Sequence, residues 1–348
     1  MKKIKSLVAI SLVGAALASL TGCSSGTKEV VKVYNWGDYI DEEVNRMFEE
    51  ETGIKVIYDV YPTNEDMYAR VVSGGAQYDV VVPSDYMIEK MAKEGRLEPL
   101  DKSLLTNYEK IDDRFKGLSH DANEEYSIPY MWGTMGIVYN QTLVSTEIDE
   151  WADMWDPTYE KQIFMYDSER DSIMVALKKL GYSMNTKDSA ELEAAKEELI
   201  KQKSLVLAYV GDEGKGKMQN GEAAMMLAWA GDAQVMIAEN PDLKYVLPKE
   251  GTNLFVDGVA VPKGAENYEN AHKYIDFLCR PEIAALNAEY IGYSTPISEA
   301  RELLPEEIKN SEVAYPDEAL TKDAEMFNDP SEMLQTYSRI WTEVKAAN

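Results

Sequence analysis

Short apolar runs alternate with amphipathic segments along the first part of the chain. Residues 30–36 and 54–60 are apolar runs of strand length, and residues 41–53 between them repeat apolar side chains at helical spacing. The apolar run at 78–83 is continuous, which is typical of a strand buried on both faces. Strands that alternate with helices in this way predict a mostly parallel sheet covered by helices.

A second series of strands and helices follows a long extended stretch. Residues 126–140 predict an extended crossing punctuated by glycines, and residues 163–166, 205–209 and 223–229 predict further strands with helices between them. Residues 257–262 predict a second extended crossing. Two α/β lobes joined by extended crossings would form a hinged clamshell.

The N-terminal 22 residues have the pattern of an export signal. Lys2, Lys3 and Lys5 precede an apolar run that is too short for an ordinary membrane span. The run ends in Leu-Thr-Gly-Cys, which resembles the bacterial lipobox and implies lipid attachment to Cys23. We expect an exported chain, lipid-anchored to the outer face of the cytoplasmic membrane, at the cell surface or in the periplasm. An ordinary signal peptide with an incidental Cys23 is the alternative.

These patterns predict how the chain is divided. We expect a signal peptide at 1–22, a lipidated tether at 23–29, a first lobe from 30–135 plus 259–305, and a second lobe from 136–258 plus 306–348. The lobe boundaries follow from the two extended crossings.

Composition narrows the class of function. A formal net charge of −27 disfavours nucleic-acid binding and favours cations. With Cys23 assigned to lipid, Cys279 has no disulfide partner and is interpreted as a small core residue. His120 and His272 lack metal-ligand spacing and are expected at the surface or as caps. Residues 211–216 predict a polar loop without a nucleotide-binding motif, so we predict no catalytic residue, metal or cofactor.

Aromatic and carboxylate residues recur together just beyond the predicted strands. Ligands collect at the carboxyl ends of strands in open α/β sheets. Aromatic faces attract cations, and carboxylates hydrogen-bond to ammonium groups, so the pairing suits an elongated organic cation. The groups are Trp36 and Tyr39 around Asp38, Ser84 and Tyr86 around Asp85, the acids Asp167, Glu169 and Asp171, Trp229 with Asp232, Phe255 with Asp257, and Tyr293. Each residue alone is also compatible with a place in the core or a helix cap.

Several segments, in this order, resemble the spermidine/putrescine-binding lipoproteins of bacterial polyamine ABC importers. They are 34–39 (Tyr-Asn-Trp-Gly-Asp-Tyr), 51–56, 78–84, 126–133, 177–183 and 291–296 (Ile-Gly-Tyr-Ser-Thr-Pro), and the resemblance covers nearly the whole mature length. It implies a two-lobed α/β clamshell of the type II periplasmic-binding-protein class. It also implies a monomeric, non-enzymatic receptor that delivers a polyamine to permease subunits served by a separate ATPase, touches the membrane only through its lipid, and binds no nucleic acid.

The resemblance also implies roles for individual side chains. Asp257 matches the family's principal carboxylate for an amine. Trp36, Trp229 and Phe255 match its aromatic box, Tyr39, Ser84, Tyr86 and Tyr293 match its lining, Asp171 falls where relatives carry Glu, and Asp38 and Asp232 match acids of putrescine-preferring relatives.

Four positions bear on which polyamine is preferred. Spermidine-preferring relatives tend to carry Trp at Phe255, Asp at Ser168 and Gln at Phe327, whereas Tyr86 resembles the spermidine type. This mixture favours putrescine, with spermidine also bound. The rival hypotheses are a receptor for another small solute, such as an amino acid, sugar or compatible solute, and an extracellular enzyme that uses Cys279 or the Asp167/Asp171 pair. An anion receptor is disfavoured because the candidate residues include no Arg or Lys.

Overall fold

A computed structural model describes residues 29–74 and 77–347. Cys23, the signal peptide and nearly all of the tether lie outside these residues. The strands are β1 (Val30–Trp36), β2 (Lys55–Tyr61), β3 (Val80–Val81), β4 (Ser127–Asn140), β5 (Ile163–Tyr166), β6 (Val206–Val210), β7 (Met225–Trp229), β8 (Leu243–Val246) and β9 (Leu254–Ala260).

Helices flank these strands along the chain. They are α1 (Glu42–Thr52), α2 (Asn64–Ser73), α3 (Asp85–Lys93), α4 (Glu169–Lys179), α5 (Ser189–Gln202), α6 (Glu213–Gln219), α7 (Ala230–Glu239), α8 (Tyr268–Leu278), α9 (Pro281–Ile291), α10 (Ser298–Arg301), α11 (Glu306–Lys309), α12 (Glu318–Thr321) and α13 (Leu334–Ala346). Short 3-10 turns, among them Lys102–Leu104 and Trp151–Trp155, lie in the connections.

One long strand, β4, joins two half-sheets. The strand order is β2-β1-β3-β9-β4-β7-β5-β6, with β8 also paired to β4. The first half of β4, residues 127–134, pairs with β9, and residues 135–140 pair with β7 and β8. The result is the two-lobed α/β clamshell predicted from the sequence, with strands crossing between the lobes.

Strands β4 and β9 account for the antiparallel pairs in the sheet. The pairs β1–β2, β1–β3, β5–β6 and β5–β7 are parallel, as the alternation of strands and helices predicts. All pairings of β4 and β9 are antiparallel. The parallel sheet predicted for the first part of the chain is therefore confirmed in β1, β2 and β3, and the antiparallel pairs arise at β4 and β9, which meet without the helical crossover that a parallel pair needs.

The strand pairing of β9 indicates at which residue the chain returns to the first lobe. Residues 254–260 pair with the first half of β4, and Ala260 pairs with Val81 of β3. These pairings attach all of β9 to the half-sheet of β1, whereas the predicted boundary assigns residues 254–258 to the second lobe. The lobe boundaries themselves stay a prediction.

Local signals fix the turn that leads from β1 into α1. Asp41 is the N-cap of α1 and accepts a 2.9 Å hydrogen bond from the Glu43 backbone N–H. Gly53 ends the helix with φ 73°, a conformation that glycine adopts at little cost. The helix therefore begins and ends at the predicted residues. This holds the Trp36–Tyr39 segment at the carboxyl end of β1.

The histidines and Cys279 are interior residues. Cys279 is buried and unpaired, which confirms its interpretation as a core residue. His120 and His272 are also buried, so the expectation of surface histidines is wrong. His272 Nε2 accepts a 3.0 Å hydrogen bond from the Asp101 backbone N–H, which ties α8 to a neighbouring turn. Between residues 29 and 347, no group of His, Cys, Asp and Glu has the arrangement of a metal site.

No helix described in residues 29–74 and 77–347 has both the length and the apolar character needed to cross a bilayer.

Candidate ligand-binding cleft

The predicted site residues come from both half-sheets and lie where the two meet. The first half-sheet contributes the end of β1, the start of α3, strand β9 and the turn after α9. The second contributes the start of α4 and the junction of β7 with α7. In that order the residues are Trp36, Asp38 and Tyr39, then Ser84 and Tyr86, then Phe255 and Asp257, then Tyr293, then Asp171, and last Trp229 and Asp232.

Asp257 is buried at the centre of this group. It lies on β9 opposite Ser84, and its side chain is in contact with Tyr39, whose hydroxyl donates a 2.6 Å hydrogen bond to Oδ2. The second oxygen, Oδ1, is buried and has no hydrogen-bond partner among the described residues. Burial raises the pKa of Asp257 to about 6, although the neighbouring hydroxyls of Tyr39 and Ser84 act in the opposite direction. The site thus contains a buried carboxylate with one open acceptor.

Aromatic rings surround that carboxylate. The Tyr293 ring packs edge-on against Tyr39 at 5.6 Å and against Phe255 at 5.9 Å between centroids. Two glycines admit these rings. A Cβ at Gly133 would lie 2.8 Å from Phe255 Cζ, and one at Gly231 would lie 2.1 Å from the Tyr293 ring. The ring positions therefore depend on glycine at both places.

A second carboxylate, Asp232, also lies near Tyr293. It is in the first turn of α7, next to Gly231, on which the Tyr293 ring packs. Its Oδ2 accepts a 3.2 Å hydrogen bond from the Tyr166 hydroxyl, and its Oδ1 is 3.2 Å from the Lys215 ammonium. The Tyr166 ring in turn stacks on Trp229 at 4.2 Å. Burial raises the pKa of Asp232, with Lys215 opposing the shift.

The remaining predicted residues of the first half-sheet differ in exposure. Trp36 is half-buried, and its indole N–H donates a 2.9 Å hydrogen bond to the Val82 carbonyl. Ser84 Oγ accepts a hydrogen bond from the Asn64 amide at 3.1 Å. Asp38 is exposed, with φ 51°, and forms no hydrogen bond or ion pair with the described part of the chain. The structure therefore does not bring Asp38 into the buried group.

A cationic side chain, Arg170, lies at one edge of the cleft. The Arg170 guanidinium of α4 lies 4.0 Å above the Tyr86 ring of α3 and 3.6 Å from Glu65 of α2. Tyr86 also donates a 3.1 Å hydrogen bond to Glu65. Asp171, beside Arg170, is buried, and its burial raises its pKa while Arg170 acts against the shift.

The candidate residues themselves include no Arg or Lys, but two cationic side chains lie close to them. Arg170 and Lys215 both lie against the predicted site residues. Each is in reach of an acid on the same half-sheet, Asp171 or Asp232. Of these three acids, only Asp232 forms a salt bridge within the described residues; the Arg170 charge acts on Asp171 without an ion pair, and neither oxygen of Asp257 contacts a cation. The cleft keeps an excess of negative charge around Asp257.

Sequence reasoning grouped one more buried acid with Ser84 and Tyr86 but gave it no role in the site. Asp85, noted only as a neighbour of Ser84 and Tyr86, is 1% exposed and accepts a 2.6 Å hydrogen bond from the Tyr86 backbone N–H. It also accepts a 3.3 Å hydrogen bond from the Val256 N–H, beside Asp257. Burial raises the pKa of Asp85 to about 7, and the charge of Asp257 adds to the shift. An acid that directly follows a continuous apolar strand is the signal that could have found it.

Known proteins with this architecture identify the family. Residues 43–325 match the model of a family described as bacterial extracellular solute-binding proteins. The spermidine/putrescine-binding periplasmic protein of Salmonella typhimurium is 39% identical over 336 residues, which is 96% of each chain.

Solved structures of similar proteins have the same fold. The spermidine/putrescine ABC transporter substrate-binding protein PotD from Streptococcus pneumoniae superposes with a TM-score of 0.83 at 41% identity, over 91% of this chain and 98% of that one. The TpPotD lipoprotein of Treponema pallidum superposes with a TM-score of 0.83 at 27% identity, over 91% of this chain and 99% of that one. The chain therefore belongs to the bacterial extracellular solute-binding protein family.

Proposed function

We propose that this protein is a receptor for a polyamine, putrescine or spermidine, which it delivers to the permease of an ABC importer. Its relatives of 39% and 41% identity carry spermidine/putrescine in their names. The buried, open oxygen of Asp257 carries the proposal. A carboxylate oxygen that is desolvated and unpaired costs free energy, and an ammonium group of the ligand would offset that cost.

The aromatic surroundings favour an organic cation over an inorganic one. Phe255, Tyr293 and Trp229 offer ring faces and edges near the two carboxylates Asp257 and Asp232. Rings of this kind bind methylene groups by burial and attract ammonium groups through their quadrupole, by about 0.5–2 kcal/mol each. A thin chain with an ammonium at each end meets both requirements.

Two rival functions use the same cleft differently. An amino acid or another zwitterion could place its ammonium at Asp257 and its carboxylate at Arg170, which faces the cleft. An extracellular enzyme needs a nucleophile or a paired acid and base. Burial raises the pKa of the Cys279 thiol well above its ordinary value, so this group would not supply a reactive thiolate. We therefore infer that the protein binds its ligand without converting it.

Calorimetric titration tests this proposal. We expect saturable one-to-one binding of putrescine or spermidine, with cadaverine weaker and with lysine and glycine betaine without measurable heat. Mass spectrometry of the recovered polyamine should find it unchanged. Binding of lysine or glycine betaine in preference to every polyamine, or conversion of the polyamine, would overturn the proposal. The balance between putrescine and spermidine also tests the preference expected from Phe255 and Phe327.

The cellular arrangement follows from the same proposal. Export, lipid attachment at Cys23 and cleavage before it would hold the receptor at the outer face of the membrane, beside its permease. Metabolic labelling with a radioactive fatty acid tests the anchor. We expect label in the natural chain and none in Cys23→Ser.

A further inference from the structure

The two carboxylates near Tyr293, Asp257 and Asp232, differ in what their oxygens contact. Asp257 uses one oxygen for Tyr39 and leaves the other open. Asp232 has both oxygens occupied, Oδ2 by the Tyr166 hydroxyl and Oδ1 by the Lys215 ammonium. A ligand ammonium can therefore bind to Asp257 directly, whereas at Asp232 a protein ammonium already occupies the place.

The exposed fractions of the Asp232 and Lys215 side chains indicate which of the two can move away from the other. The Asp232 side chain is 12% exposed, and the Lys215 side chain is 33% exposed. Lys215 lies on the seven-residue helix α6, between Gly214 and Gly216, and reaches the carboxylate from the solvent side. Lysine has a long flexible side chain and a strongly hydrated ammonium, so it can return to water at modest cost. Asp232, held by Tyr166 and by α7, stays in place.

We propose that Lys215 is a built-in competitor of the ligand at Asp232. This inference rests on the proposed function. Its ammonium occupies the carboxylate oxygen that the second ammonium of a polyamine takes on binding, and Lys215 thereby lowers the affinity of the receptor. The exchange replaces one primary ammonium by another of the same charge and donor capacity, so Asp232 is paired in both states.

The competition has a defined energetic consequence. The free energy of binding the second ammonium includes the cost of releasing Lys215 from Asp232. A receptor without this lysine does not have that cost. Without Lys215, Asp232 would be a buried carboxylate with no counter-ion, and the ligand would gain the full pairing energy. Removal of Lys215 leaves Asp232 without its counter-ion. It should therefore both destabilise the ligand-free protein and tighten binding of the ligand.

Titration of paired variants tests this competition. Lys215→Gln should bind putrescine about tenfold more tightly than the natural protein, whereas Lys215→Arg, which keeps the cation, should stay within about threefold. Lys217→Gln, two residues along the same helix, is the control and should bind as the natural protein does. Thermal unfolding without ligand should find Lys215→Gln less stable than Lys217→Gln.

A double substitution separates competition from a structural role. In an Asp232→Asn background, the effect of Lys215→Gln on affinity should vanish, because the contested carboxylate is gone. Unchanged or weaker putrescine binding by a folded Lys215→Gln protein would overturn the inference, as would an equal gain in the Asp232→Asn background. Failure of the natural protein to bind any polyamine would instead overturn the proposed function, so the two failures are distinguishable.

Discussion

The Tyr39 hydroxyl donates a 2.6 Å hydrogen bond to Oδ2 of Asp257, a residue 218 positions away in the chain. Tyr39 follows β1 and Asp257 lies on β9, so this bond joins two strand segments of one half-sheet. It fixes the carboxylate in one orientation and leaves Oδ1 buried without a partner. An acceptor oriented in advance needs no rearrangement to receive an ammonium, and pre-organisation of this kind raises affinity.

Removal of the Asp257 charge should abolish most of the binding. We expect Asp257→Asn to weaken putrescine binding by at least about tenfold in calorimetry, because the ligand ammonium would lose its ionised partner. The free energy of unfolding of the ligand-free variant at pH 7 should rise by about 1 kcal/mol, since a desolvated charge is removed.

Asp38→Asn is the matched control for this change. Asp38 is exposed and has a positive φ, a conformation that asparagine tolerates well. We expect its affinity within about threefold of the natural protein. Comparable losses in the two variants would show that the ammonium is not placed at Asp257.

The affinity for putrescine should depend on pH between 5 and 7. Burial raises the pKa of Asp257 to about 6, above its ordinary value, so the native ligand-free protein holds a proton at pH 5 that the unfolded chain has lost. Stability from this group is present at low pH and decreases as pH rises through about 6. The ammonium binds the ionised carboxylate, so affinity should increase over the same range.

Calorimetry in buffers of different ionisation enthalpy would measure the linked proton. We expect proton release on binding near pH 5.5, and much less release in Asp257→Asn, where Asp85 is the neighbouring buried acid left to titrate and its pKa is lower than in the natural protein because the Asp257 charge is gone. Proton uptake on binding would contradict this reasoning.

The position of Phe255 should be sensitive to Gly133. A Cβ at Gly133 would meet the Phe255 ring at 2.8 Å, so Gly133→Ala must displace the ring. We expect putrescine binding weaker by about fivefold or more, measured by titration. Gly216→Ala on α6, where no atom lies within 4 Å of the added Cβ, should leave affinity unchanged. Equal affinities of the two variants would show that the ring does not line the site.

Arg170 joins the lobes through its contacts with Tyr86 and Glu65. Because α4 belongs to one half-sheet and α2 and α3 to the other, these contacts stabilise the closed arrangement. Arg170→Gln should increase the radius of gyration of the ligand-free protein in small-angle X-ray scattering and weaken binding about threefold. Arg46→Gln, which removes ion pairs within α1, is the control. An unchanged radius in Arg170→Gln would contradict a role in closure.

Much of the architecture could be predicted from local signals. Capping residues such as Asp41 and Gly53 mark helix ends, and apolar runs mark the strands whose carboxyl ends carry the candidate residues. These features depend on neighbours in sequence, which is why a single chain reveals them.

The contacts between distant segments could not be predicted in this way. Residues 213–219, which overlap the stretch 211–216 expected as a polar loop, form helix α6, because packing of Gly214 and Met218 outweighs the low helix propensity of glycine. That helix brings Lys215 to Asp232. The side-chain pairing of Arg170 with Glu65 depends likewise on closure of the lobes. No local pattern encodes either contact.

A crystal structure of the protein with putrescine tests the central claim most directly. The account predicts one ammonium within about 3 Å of Asp257 Oδ1, methylene groups against the rings of Phe255 and Trp229, and Lys215 withdrawn from Asp232. Density for the diamine at another place, with Asp257 Oδ1 still buried and unpaired, would contradict it.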